Sequence, residues 1–160
     1  MERTGRQRRA ISNHRAGPPF TTTLVVTDKH AVMERYDPEV APLSEEWIDL
    51  DEGERLLLVE EFHRDARISM PKAARIPHAS MHVVVENQLA ENDEPVVRAL
   101  GRLMKGGLSR HDAVHAIGSL VAEQIYALLK QTDTPETSRT RYYAAVERLT
   151  AETWRESSDD

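Results

Sequence analysis

Histidine side chains recur at helical spacing in this sequence, and they are the residues best suited to carry chemistry. His78 and His82 are four residues apart, and His111 and His115 form a second pair with the same spacing. Four residues are close to one α-helical turn, so each pair projects from one side of a helix. Neutral imidazole is a common ligand of zinc and other transition metals. The spacing therefore predicts two pairs of metal ligands.

Two carboxylates and a fifth histidine stand beside the apolar positions of the same helical segments. Glu86 lies four residues after His82, and Glu60 lies three residues before His63. Burying such groups without partners is unfavourable, and a shared cation would satisfy them together, as in helical bundles with interior metals. The predicted metal ligands, in descending order of preference, are His82, Glu86, His111 and His115, then His78 and His63, and last Glu60.

The predicted cofactor is a divalent transition metal, with zinc, iron and manganese as the candidates. Seven candidate groups exceed the four ligands of a closed zinc site. Either two ions share the site, or some of the groups orient the true ligands. The alternative is a metal-free module in which the histidines form a structural hydrogen-bond network and the helical faces bind a protein partner or a second copy of the chain.

The second histidine pair resembles the zinc-protease signature His-Glu-x-x-His, with Asp112 in place of the glutamate. Aspartate is shorter by one methylene group and reaches less well as a general base. Asp112 also lies three residues after Ser109, which is the spacing of a helix capping box. If the site is catalytic, Glu86 or Glu60 is the candidate base. A metal-dependent hydrolase therefore stays open beside a metal that only stabilises the fold.

The elements that must position these side chains are predicted to be helices. From residue 44 onward, apolar residues recur at three- and four-residue steps. Capping residues, prolines and glycines mark the boundaries, so the sequence predicts an all-α fold, a small bundle of about five helices. The first predicted helix is capped by Ser44 or Asp51 and ends near residue 67, and the third is capped by Asn92 or Asp93 and ends at the glycines 106–107. The other predicted helices cover residues 77–90, 110–130 and 134–155, with a linker over 68–77.

The length of 160 residues and the absence of cysteine predict one domain without disulfides or thiolate metal sites. Residues 1–32 are predicted to be a disordered basic tail or an upstream extension, and residues 33–156 are predicted to form the helical bundle domain. No apolar run approaches the roughly 20 residues that span a bilayer, so no membrane partner is expected. The lack of cysteine is typical of a cytoplasmic protein.

Charge is distributed unevenly along the chain. The net charge is −6, made up of +4 over residues 1–32 and −10 over the rest. An acidic body argues against a nucleic-acid partner, because phosphate contacts need a basic surface. The composition leaves a homo-oligomer or a protein partner open.

Four segments of the sequence resemble a bacterial family of small helical proteins of unknown function. They are YDP at 36–38, LDEGER at 50–55, HVVVENQ at 82–88 and RHDAVHAIG at 110–118. The resemblance covers residues 33–155 and is most specific in the two segments that carry histidine. It implies no activity. The site residues that it implies are His78, His82, Glu86, His111 and His115.

Overall fold

A computed structural model describes residues 33–158, and all regular structure in that range is helical. This confirms the all-α prediction; the predicted disordered tail over residues 1–32 lies outside the described residues. No helix in the described range has the length and apolar character needed to cross a membrane. The helices are α1 (Ser44–Asp49), α2 (Glu52–Asp65), α3 (Lys72–Ala90), α4 (Glu94–Lys105), α5 (Arg110–Leu129), α6 (Pro135–Arg148) and α7 (Ala151–Ser158).

The predicted count of about five helices is too low, because residues 44–49 form a helix of their own before the predicted capping box at Asp51, and because the last predicted helix breaks at Leu149. Leu50 is extended, with φ −69° and ψ 147°, and the Asp51 capping box starts a new helix after it. Leu149 is also extended, and the Thr150 hydroxyl accepts a hydrogen bond from the Thr153 amide at 3.2 Å. Side chains that cap a new first turn compete with continuation of the preceding helix. Residues 33–158 therefore form seven helices.

The boundary of α3 also corrects the sequence prediction. The helix begins at Lys72, five residues before the predicted start at Pro77, so the linker is shorter than predicted. Proline inside a helix removes one backbone hydrogen bond, here the one to the Ala73 carbonyl. The helix continues for 19 residues despite this loss. As a result His78 lies in the second turn of α3 and not in its first.

Two groups of buried apolar residues form the core, and α3 contributes to both. The larger group joins α3 to α4, α5 and α6, and Val85 is the α3 residue in it. The smaller group joins α3 to α1 and α2, and it contains Val83, Trp47 and Val59. Because α2 packs on one side of α3 and α5 on another, the three helices that carry histidine meet where the two groups adjoin.

Candidate metal centre

Five histidines from three helices converge between α2, α3 and α5. The ring centroids of the pairs in contact lie between 4.3 and 6.4 Å apart. Four of the five histidines, all except His78, each offer one ring nitrogen, and these four nitrogens lie within 4.8 Å of one another. We call these five residues the histidine cluster: His63 on α2, His78 and His82 on α3, and His111 and His115 on α5.

Local sequence explains why α3 and α5 bring their histidines together. Gly118 lies one turn after His115, on a buried part of α5. A Cβ atom at Gly118 would lie 3.4 Å from the Cβ atom of Met81, so α5 and α3 approach each other closely at this point. The Ser109 hydroxyl caps α5 by accepting a hydrogen bond from the Asp112 amide at 3.0 Å. This cap places the second histidine pair in the first two turns of α5.

Hydrogen bonds at Nδ1 orient two of the cluster imidazoles. His63 Nδ1 lies 2.7 Å from the Val59 carbonyl oxygen, which only accepts, so this nitrogen carries the proton. His82 Nδ1 lies 3.2 Å from the Tyr36 hydroxyl, which in turn donates to Glu86 Oε1 at 2.8 Å. His82 Nδ1 therefore donates to the Tyr36 oxygen. An imidazole that is neutral with its proton on Nδ1 leaves Nε2 free, which is the form that binds a metal.

The Nε2 atoms face one another in two close pairs. His63 Nε2 lies 3.0 Å from His78 Nε2, and His82 Nε2 lies 2.9 Å from His115 Nε2. In the neutral metal-free cluster, His78 and His115 carry the protons of these hydrogen bonds. Two nitrogens bound to one zinc ion are about 2.9 Å apart at a right angle and about 3.3 Å apart at a tetrahedral angle. The spacing of each pair thus resembles that of two ligands on one ion.

The environment of the cluster favours neutral imidazole. Burial, with a smaller contribution from the other imidazoles, lowers the pKa of His78 and of His115 from 6.5 to about 4. The same causes lower the pKa of His82 further and also lower the pKa of His111. His111 Nε2 is buried and has no hydrogen-bond partner within the described residues. These four rings are neutral at pH 7, as metal binding requires.

Glu86 lies outside the group of ring nitrogens, although the sequence ranked it among the first ligands. Arg110 Nη1 donates to its Oε1 atom at 2.8 Å and Arg110 Nη2 donates to its Oε2 atom at 2.7 Å. The Tyr36 hydroxyl donates to Oε1 as well. All three side chains are at least nine-tenths buried. Glu86 therefore reaches the cluster through Tyr36, which it holds against His82.

Sequence reasoning missed Tyr36 and Arg110 as site residues. Burial, with the adjacent charge of Glu86, raises the pKa of Tyr36, so its hydroxyl stays protonated and can donate. Arg110 Nη1 also donates to the Pro38 carbonyl at 2.7 Å, which ties the segment before α1 to α5. The sequence did carry signals: Tyr36 and Pro38 belong to the YDP segment, and Arg110 directly precedes a cluster histidine.

Two cavities flank the histidine cluster. The larger, of about 460 Å³, is lined by Glu60, His63 and His78 among others. The smaller, of about 230 Å³, is lined by His78, His82 and His115 among others. Glu60 is thus a cavity residue and is not one of the grouped ligands. His78 lines both cavities, so molecules in solution can approach the cluster from two sides.

Asp112 stands at the surface of α5 and not in the cluster. Its side chain is exposed, and its amide donates to Ser109 as the predicted cap requires. Of the two hydrogen bonds of the predicted capping box, only this one forms. The geometry therefore gives Asp112 a capping role, and it offers no support for the zinc-protease interpretation.

Comparisons of this chain with family models, with curated proteins and with solved structures find no match. The resemblance to a bacterial helical family therefore stays a prediction.

Proposed function

We propose that the protein binds a divalent transition metal at the histidine cluster. The observation that carries this proposal is the grouping of four ligand nitrogens within 4.8 Å of one another, on three separate helices. All four donors are imidazoles, which suit zinc and iron(II), whereas manganese prefers carboxylate oxygens. Zinc and iron(II) are therefore the favoured ions.

Each cluster residue has a role in this proposal. His63, His82, His111 and His115 are the ligands. His78 is adjacent to the ion and supplies a hydrogen bond or a fifth nitrogen. The buried chain from Arg110 through Glu86 to Tyr36 holds His82 in its ligand orientation, as partners of metal-bound histidines commonly do.

A metal-free cluster of structural histidines is the competing interpretation. The two Nε2 pairs would satisfy four of the rings without an ion. His111 Nε2, however, is buried with no hydrogen-bond partner among residues 33–158, and an unmade hydrogen bond of this kind costs about 1–3 kcal/mol. A metal ion bound to that nitrogen would remove this cost. The unpaired nitrogen thus favours the metal over the structural network.

Elemental analysis of the purified full chain tests the proposal. We expect near-stoichiometric zinc or iron, its loss on chelation, and its return when zinc is added back. The His115→Ala variant should lose most of the bound metal. The matched control is His30→Ala, which leaves all five cluster histidines in place and should retain the metal. Absence of metal from the wild type after zinc addition, or equal metal in both variants, would refute the proposal.

A metal-dependent hydrolase is the second candidate function, and the position of Glu60 favours it. Both oxygens of Glu86 accept hydrogen bonds from Arg110, whereas Glu60 lines the larger cavity beside His63. A bound metal would supply Lewis acidity, and the Glu60 carboxylate would accept a proton from water.

Turnover of generic ester, phosphate and peptide substrates by the zinc-loaded protein tests this activity. Glu60→Gln should remove the turnover and leave the metal content unchanged. The control, Glu52→Gln, neutralises an exposed carboxylate at the start of the same helix and should keep full activity. Turnover that survives Glu60→Gln would exclude Glu60 as the base, and no turnover on any substrate would exclude hydrolysis of these classes.

A further inference from the structure

The larger cavity beside the histidine cluster has the composition of a small-molecule site. Its volume of about 460 Å³ lies within the range of about 300–1,000 Å³ typical of ligand pockets. His63 and His78 form part of its wall, so one side belongs to the cluster. Ile68 and Met70 add apolar surface, and Ser69 adds a hydroxyl group. We call this space the arginine cavity, because arginines also line it.

Three of the ten residues that line this cavity are arginines, against one carboxylate. This contrasts with the chain outside residues 1–32, which carries a charge of −10. Arg64 forms ion pairs with exposed carboxylates, at 3.4 Å to Glu61 and 3.7 Å to Asp65. Within residues 33–158, Arg67 and Arg75 have no carboxylate at ion-pair distance. Two guanidinium groups are therefore available to a ligand.

The turn that ends α2 fixes the position of Arg67 beside the cluster. Arg67 has a φ of 56°, a left-handed conformation at the end of α2 where glycine is favoured. The turn is tied to the cluster helix, because the Ile68 amide donates to the His63 carbonyl at 3.0 Å. The equivalent position after α4 is Gly107, with a φ of 90°. Asn92 and Gln131 adopt the same conformation after α3 and α5, with φ of 57° and 54°, so the turn positions Arg67 but does not by itself mark it as functional.

We infer that the arginine cavity binds a small molecule with a phosphate or carboxylate group, held by Arg67 and Arg75. Guanidinium forms paired, charge-assisted hydrogen bonds with both kinds of oxyanion. The inference rests on the proposed function, because His63 and His78 would separate the bound molecule from the proposed metal. It adds the chemical class of the ligand, which the metal centre alone does not define.

Calorimetric titration of the zinc-loaded full chain with three probes of similar shape tests the inference. The probes are phenyl phosphate, benzoate and phenol. Saturable binding of phenyl phosphate or of benzoate, at least tenfold tighter than that of phenol, is expected. Whichever of the two anions binds more tightly identifies the oxyanion group. Equal binding of all three, or binding of none, would overturn the inference.

Two variants locate the binding site. Arg75→Gln and Arg67→Gly should each lower the affinity for the more tightly bound anion about tenfold, since each removes a charge-assisted contact. Arg67→Gly also relieves the left-handed strain, so its melting temperature should be unchanged or higher, which separates lost binding from misfolding. The control is Gln131→Gly, which makes the same change at a φ of 54° after α5. That position is about 24 Å along the helix from His115.

The control should bind the anion as the wild type does. Wild-type affinity in both arginine variants would overturn the inference. Elemental analysis of each sample distinguishes the two proposals. Anion binding without zinc would refute the metal centre alone, and zinc without anion binding would refute the arginine cavity alone.

Discussion

The acid sensitivity of the metal-free protein follows directly from the cluster. In the folded protein the pKa of His78 and of His115 is about 4, against 6.5 for an exposed histidine. Below pH 6.5 the unfolded chain therefore binds more protons than the folded chain, and the stability falls as the pH falls towards 4. The stabilisation from neutral burial is fully present only above pH 6.5.

The size of the effect between pH 7 and pH 5 follows from the two pKa values. Linkage gives about 1.9 kcal/mol for each fully buried histidine with such a shift, and partial solvent exposure reduces this to about 1 kcal/mol. His78 and His115 together should then remove about 2 kcal/mol of the free energy of unfolding. For a chain of this size, that corresponds to a fall in melting temperature of about 4–8 °C. The lowered pKa values of His82 and His111 act in the same direction.

Urea denaturation of the chelated, dialysed protein at pH 7, 6 and 5 measures this loss. The range stops at pH 5 because ordinary carboxylates titrate below it. The His115→Gln variant, whose amide does not titrate, should show a smaller dependence on pH than the wild type. A denaturation midpoint that stays constant from pH 7 to pH 5 would refute the reasoning. So would a variant with the full wild-type dependence.

Three further predictions concern the metal and its supporting residues. Zinc at 100 times its dissociation constant should stabilise the protein by about 2.7 kcal/mol, seen as a higher urea midpoint, and no shift would count against a folded-state site. Tyr36→Phe removes the acceptor of the His82 Nδ1 proton, so zinc affinity measured by competition with a chelator should fall about tenfold at unchanged stoichiometry. Wild-type affinity would show that Tyr36 does not orient the ligand. Arg110→Met leaves the Glu86 carboxylate buried without its cation and should cost about 3–5 kcal/mol in urea denaturation, whereas a loss below 1 kcal/mol would contradict the buried pairing.

The sequence predicted the parts of the site that depend on helical periodicity. His78 and His82 share a face of α3, and His111 and His115 share a face of α5, because the spacing of four residues is a local property of a helix. The convergence of these faces with His63 could be anticipated, since all lie beside apolar positions that had to pack together.

Contacts between distant segments could not be predicted in the same way. Tyr36 and Glu86 are 50 residues apart, and the spacing of Glu86 from His82 matched that of a ligand equally well. The partner that engages Glu86 is Arg110, which is 24 residues further along the chain. Periodicity shows which face a side chain occupies, but the neighbour that it meets there depends on tertiary packing.

The boundaries that the sequence missed arise from competition between local signals. Pro77 indicates a helix start, yet α3 extends five residues before it, although a proline inside a helix removes one backbone hydrogen bond. Thr150 carries no stronger capping signal than other threonines, and it becomes a cap because Leu149 is extended. Such outcomes are decided by packing energies that a single sequence does not display.

The segment before α1 contributes no imidazole to the cluster, yet its Tyr36 orients the imidazole of His82. The Tyr36 hydroxyl hydrogen-bonds to His82 and Glu86. Two residues after Tyr36, the Pro38 carbonyl accepts a hydrogen bond from Arg110. Cleavage or displacement of this segment would leave all five imidazoles in the chain but would remove the hydrogen bond that orients His82. If the cluster binds a metal as proposed, a change in this segment would weaken the binding without altering any of the ligands.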